Sequence, residues 1–61
     1  MKLKKYLNSN NLKSVALLYF NKEGGLCMSK YKSKDKVDIK FMDTQVMEVK
    51  NEDDCTEIWI K

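Results

Sequence analysis

Four lysines stand at every second position in the stretch KYKSKDK: Lys30, Lys32, Lys34 and Lys36. In an extended strand, side chains two apart share a face, and a row of four spans about 20 Å at ~3.3 Å per residue. Ammonium groups at that pitch can track successive phosphates, and contacts of this kind weaken steeply with salt. The four are therefore the candidate anion-binding residues. The same pattern also suits a solvated edge strand, where lysines discourage pairing with another chain. All twelve basic residues are lysines and arginine is absent. Arginine is the usual bidentate reader of guanine and phosphate, so nucleic-acid binding would be restricted to weak, backbone-directed contact.

Other chemistry is sparsely provided. Glu52, Asp53 and Asp54 are consecutive, with Glu57 and Asp43 not far off. They lack the spaced Asp/Asn, central glycine and terminal Glu of a calcium loop, and adjacent acids of this kind are ordinary turn formers. Histidine is absent and there are two cysteines, Cys27 and Cys55, too few soft ligands for a structural zinc site. Histidine is also the commonest general base. Cys27 lies near Lys30 in sequence, yet a strand cysteine usually behaves as a small buried hydrophobe. No nucleophile–base–orienter set and no glycine-rich phosphate loop is visible. The expectation is a protein that is not an enzyme and carries no metal or cofactor.

The elements that must position these residues follow from the apolar pattern. Leu3, Tyr6 and Leu7 are spaced as one face of a short helix, stopped by Asn8–Asn11. Such a helix does not hold in water alone and must be docked. SVALLYF, Ser14 to Phe20, is apolar on both faces: Val15, Leu17 and Tyr19 on one, Ala16, Leu18 and Phe20 on the other. That is the mark of a strand covered on both sides. NKEGG is a turn whose glycines suit a tight reversal, and LCMSKYK returns as a second strand. VDIKFM alternates and reads either as a third strand or as a loop into a turn. TQVMEVK is a strand with Met47 and Val49 on one side and Val46 and Glu48 on the other; NEDD turns, and TEIWIK closes a hairpin. The predicted fold is α+β, one domain over residues 1–61, with a short N-terminal helix followed by an antiparallel meander of four or five strands.

Apolar surface is in surplus. One short helix covers one face of a sheet, while the first strand is apolar on two. In EIWIK, Ile58 and Ile60 alternate with Glu57, Trp59 and Lys61, so the single tryptophan shares a face with charges. Two arrangements are open. Trp59 packs under Leu3, Tyr6 and Leu7, with the isoleucines facing away, or Trp59 joins Phe20 on a second face that a partner covers. Trp and Tyr are favoured interface anchors, and chains of this size are marginal alone. The candidate partner-binding residues are Trp59, Phe20, Tyr19 and Tyr31.

Charge is divided along the chain: Met1–Lys36 carries nine lysines against Glu23 and Asp35, and Val37–Lys61 three lysines against seven acids. The poles cancel if the halves pack together, and otherwise attract oppositely charged partners. MKLKKYLNSNN lacks the apolar run of a signal peptide, and no stretch of about 20 apolar residues is present. The expected location is the cytoplasm of a host cell, where both thiols stay reduced; a single Cys27–Cys55 disulfide is the alternative state of the pair.

The lysine- and asparagine-rich, arginine-free composition, the leader MKLKKYLN, and the segments DIKFMDTQVMEV and EIWI resemble, in style and size, small phage and prophage accessory proteins of AT-rich Gram-positive bacteria. The resemblance implies a small fold and an accessory role. Many such proteins bind and block a host protein, defence factors included, and some sequester a signalling nucleotide. No residue matches a defined motif of such inhibitors, so no functional residue is carried over. The leading expectation is a non-enzymatic binding protein that blocks a host protein through an apolar, aromatic and lysine-rich surface, and that self-associates. The alternatives are a homo-oligomeric sponge for a phosphorylated small molecule and a weak lysine-mediated nucleic-acid binder.

Overall fold

A computed structural model describes residues 1–61. It contains one helix, α1 (Leu3–Ser9), and four strands, β1 (Ser14–Phe20), β2 (Leu26–Tyr31), β3 (Val46–Asn51) and β4 (Cys55–Ile60). Two single 3₁₀ turns, Lys34–Lys36 and Ile39–Phe41, lie between β2 and β3. The class is α+β, as the apolar pattern predicts. No helix is long and apolar enough to cross a membrane.

The two hairpins form where the turn residues place them. In the first, Asn21 organises the reversal: its side-chain oxygen accepts from the backbone N–H of Glu23 (2.9 Å) and of Gly25 (2.8 Å). Gly24 supplies the left-handed residue, at φ +84°, a conformation that a Cβ would oppose. In the second, the Glu52 amide donates to the Cys55 carbonyl at 2.8 Å.

The sheet is not a simple meander. Its strand order is β2-β1-β4-β3, with β1 and β4 parallel at the centre. A meander would leave β1 at an edge, with one row of its backbone groups unpaired. Because β1 is apolar on both faces, the centre is where its side chains gain most from flanking strands, and β4 supplies the second flank. The structure has four strands, and the segment Val37–Phe41 is not a fifth. β2 ends beside Val15, whereas β3 begins beside Ile60, at the far end and opposite edge of the sheet. The connection must therefore cross the sheet diagonally, over one face, where no strand edge is free to pair with it. Its two turns point Val37 and Phe41 inward and leave Ile39 84% exposed, whereas a strand would have put all three on one side.

β3 departs from the expected alternation as well. A bulge between Val46 and Glu48 interrupts its register with β4, and an extra residue of this kind resets which side chains face inward. Val46 and Val49 both pack on the core, and Met47 is exposed.

The core lies between one sheet face and a layer made of α1 and the diagonal connection. Val15, Leu17, Ile58 and Ile60 come from the sheet, Leu3 and Leu7 from the helix, and Val37 and Phe41 from the connection. The helix lacks a side-chain N-cap. Its first free amides are met instead by the connection: Leu3 N–H donates to the Thr44 carbonyl (2.9 Å) and Lys4 N–H to that of Met42 (3.1 Å). At its other end, Lys34 Nζ donates to the Leu7 and Asn10 carbonyls, both at 3.0 Å. A seven-residue helix holds here because both ends are tied to the segment that also roofs the core.

Cys27 sits opposite Tyr19 and Cys55 opposite Ser14, so the two are five residues apart along β1, about 16 Å at the strand rise. That separation is far beyond the reach of a disulfide, and both thiols are free.

Two outcomes follow from this packing. Leu17→Ala and Ile58→Ala, each at a residue with no exposed surface, should destabilise the chain by about 2–5 kcal/mol, enough to unfold most of it in a urea titration. Ile39→Ala should change the stability read from the same titration by less than about 0.5 kcal/mol.

Candidate functional site

The other face of the sheet has no covering layer. Register places Met28, Leu18, Trp59 and Glu48 side by side across the four strands, and Lys30, Ala16, Glu57 and Lys50 in the row two residues away. Phe20 and Leu26 stand opposite one another on the far side of the Met28–Glu48 row. Leu18 and Ala16 are buried, Leu18 at 8% exposure, because longer side chains from β2 and β4 flank them. The larger apolar groups of this face are open to solvent: Phe20 is 64% exposed, Leu26 56% and Met28 53%. The Phe20 and Trp59 rings lie against each other, centroids 6.1 Å apart and tilted by 34°. An open apolar face rimmed by charge is the kind of surface at which proteins interact, and it is the candidate site.

At the Phe20 end the face runs into a groove of about 600 Å³ that bends round the end of the sheet. Tyr19, Phe20, Phe41, Met47, Trp59 and Ile60 form its apolar wall, with Thr44, Glu48 and Lys61 at its polar margin. The Tyr19 and Phe41 rings meet in this wall, centroids 5.1 Å apart and tilted by 49°. Thr44 Oγ1 donates to the Phe41 carbonyl at 2.6 Å and so is already engaged.

The candidate residues read from sequence separate into groups. Trp59 and Phe20 meet on the open face, and Ile58 and Ile60 face the helix. The arrangement with Trp59 beneath α1 is therefore overturned: parity along β4 puts the isoleucines inward, and the core there is complete without the indole. Tyr19 and Tyr31 lie on the opposite side of the sheet, packed against the core. They belong to the helix side because each is an odd number of residues from the open-face members of its strand. Tyr19 reaches the shared groove only at the sheet end.

The straight row of lysines does not form. β2 stops at Tyr31, so Lys30 alone is on the strand, on the open face. Lys32 lies beyond its end. Lys34 and Lys36 sit in a 3₁₀ turn, where positions two apart no longer share a face. Lys34 is half-buried, and its ammonium is held by the two helix carbonyls described above; a lysine in this position also complements the negative end of the helix.

The carboxylates are dispersed rather than gathered. Lys2 pairs with Asp43 at 3.8 Å, Lys13 with Asp54 at 3.6 Å and Lys50 with Glu52 at 3.3 Å, all exposed pairs worth about 0–1 kcal/mol each. Ser14 Oγ donates to the Asp54 carbonyl and ties the start of β1 to the second hairpin. Cys27 Sγ is near Asn21 Nδ2 (3.7 Å) and the Gly25 carbonyl (3.9 Å), while Lys30 stands on the opposite face. No three metal-ligating side chains are grouped.

Leu26 belongs to the open face and was not among the residues singled out from sequence. The signal for it was present: NKEGG sets the hairpin register, and Leu26 shares parity with Met28 and Lys30. Met47 reaches the groove only because of the bulge, which no sequence pattern announces. Comparison with protein-family models, curated proteins and solved structures gives no match for this chain.

The assignment of Lys34 can be checked directly. Lys34→Ala should lower stability by about 1.5–3 kcal/mol, the range for hydrogen bonds made by a charged group, with the loss visible in the helical circular-dichroism signal. Lys36→Ala should leave the unfolding midpoint in place.

Proposed function

We propose that the chain is a small non-enzymatic binding protein that occupies and blocks a surface of another protein through the open face of its sheet. The resemblance to phage and mobile-element accessory proteins makes a host protein, a defence component included, the partner class. The observation that carries this reading is the uncovered face built from Leu26, Met28, Phe20 and Trp59 over the buried Leu18. Aromatic and methionine side chains are the types enriched at protein contacts. Lys30, Lys50, Glu48 and Glu57 border the apolar centre, giving the polar rim that such interfaces have.

Capture of a phosphorylated small molecule is the second reading, and the aromatic groove at the Phe20 end favours it. Planar groups stack on such walls. Its margin, however, offers one lysine, Lys61, against one carboxylate, Glu48, a poor balance for a phosphate. The docking reading uses the whole face and needs no cage.

The test is a face-resolved comparison in a Gram-positive host expressing the tagged chain. Trp59→Ala and Met28→Lys should each weaken retention of a stoichiometric partner by about 30-fold or more, the effect of losing a central anchor. Lys5→Ala and Lys36→Ala, on the helix side, should not. Circular-dichroism melting of each variant separates lost contact from lost fold. Equal loss from both faces would exclude the open face as the docking surface.

A further inference from the structure

We infer that the open face of the free chain is occupied by a second copy of the same chain, in a face-to-face dimer whose two-fold axis runs across the strands at the Leu18–Trp59 row. The inference rests on the reading of this face as a docking surface and names its resident occupant.

Extent comes first. Four strands at about 4.8 Å and six residues at about 3.3 Å give a face of roughly 400 Å² in projection. Two such faces, with side-chain relief added, approach the roughly 1,000 Å² that a specific interface needs. Sheets packed in this way keep their strand directions within about 30°, so a two-fold axis in the interface runs either along the strands or across them.

Register and charge choose between the two. An axis along the strands lays β2 of one copy over β3 of the other at the same level. Lys30 and Lys50 occupy the same row, so each would face the other's ammonium. An axis across the strands at the Leu18–Trp59 row reverses the levels instead. Phe20 then lies over the partner's Ala16, the largest β1 side chain of this face over the smallest. Glu57 comes over the partner's Lys61, which continues the Glu57–Trp59 alternation and lines the groove beside Trp59. Two Glu57–Lys61 pairs form by symmetry. The aliphatic stem of Lys30 lies along the partner's Leu26 with its ammonium at the rim. Glu48 approaches its own copy at the sheet edge, where water screens the repulsion.

This places self-association in competition with any other protein for the same face. The partner's apparent affinity falls as the chain's own concentration rises, because only the opened copy is competent.

The experiment is sedimentation velocity on the purified chain from about 1 to about 300 µM, a range that brackets a micromolar dissociation constant. Emission of Trp59, the single tryptophan, is followed over the same dilution. The expected result is a monomer–dimer equilibrium with a red shift of emission on dissociation. Glu57→Lys alone and Lys61→Glu alone should each raise the dimer dissociation constant about tenfold or more through like-charge apposition. The double swap should restore it to within about threefold, as coupled neighbours do, and restoration rules out misfolding as the cause. Glu48→Gln should tighten the dimer. A monomer at every concentration overturns the inference, and so does a dimer indifferent to both single swaps. A monomeric chain that still holds a host partner through Trp59 overturns the dimer and leaves the docking function standing.

Discussion

Strand β1 carries apolar side chains on both faces in a chain with one covering layer, and the rest of the structure follows from that imbalance. Such a strand is served best at the centre of a sheet, where neighbours on both sides shield its smaller residues. β2 and β4 do this: they bury Ala16 and Leu18 on the open side although nothing lies above them. The parallel β1–β4 pair is thus the seam of the molecule, joining a hairpin from the N-terminal half to one from the C-terminal half. It leaves the larger residues of the second face, Phe20 and Trp59 above all, in contact with each other and with water.

The covering layer itself is cooperative. α1 is too short to persist alone, and the connection between β2 and β3 has no regular structure beyond two single turns. Each completes the other. Backbone carbonyls of Met42 and Thr44 take the first helix amides, Lys34 takes carbonyls at the other end, and Leu3, Leu7, Val37 and Phe41 share one buried surface with the sheet. A lysine whose spacing suggests a phosphate contact is in fact part of this tie. The division of charge along the chain is likewise absorbed in part by the fold, through exposed pairs such as Lys2–Asp43 and Lys13–Asp54 that link the basic half to the acidic half.

A protein arranged this way has one covered and one uncovered sheet face. The helix side is complete within, and of the large apolar side chains on its connection Ile39 stands open to solvent. The open side is apolar at its centre and charged at its margin, with both signs represented among Lys30, Lys50, Glu48 and Glu57.

Periodicity alone determined the elements that depend on local pattern: the helix from Leu3, Tyr6 and Leu7, the strand Ser14–Phe20, the reversal at NKEGG, and the placing of Trp59 on the face opposite Ile58 and Ile60. Each of these is a matter of spacing or turn chemistry within a few residues. Tertiary structure decided what spacing cannot carry. Which strand pairs with the free edge of β1 depends on contacts some 40 residues apart. Whether Val37, Ile39 and Phe41 share a face depends on the diagonal path their segment must take. The bulge that turns Met47 outward and the capture of Lys34 by the helix end arise only when separate segments meet. The second face was foreseeable as apolar from the composition of β1. Its separation from Tyr19 and Tyr31, and its joining of Leu26 and Met28 to Trp59, required the register of the assembled sheet, because side-chain neighbours across strands are set by pairing and not by distance along the chain.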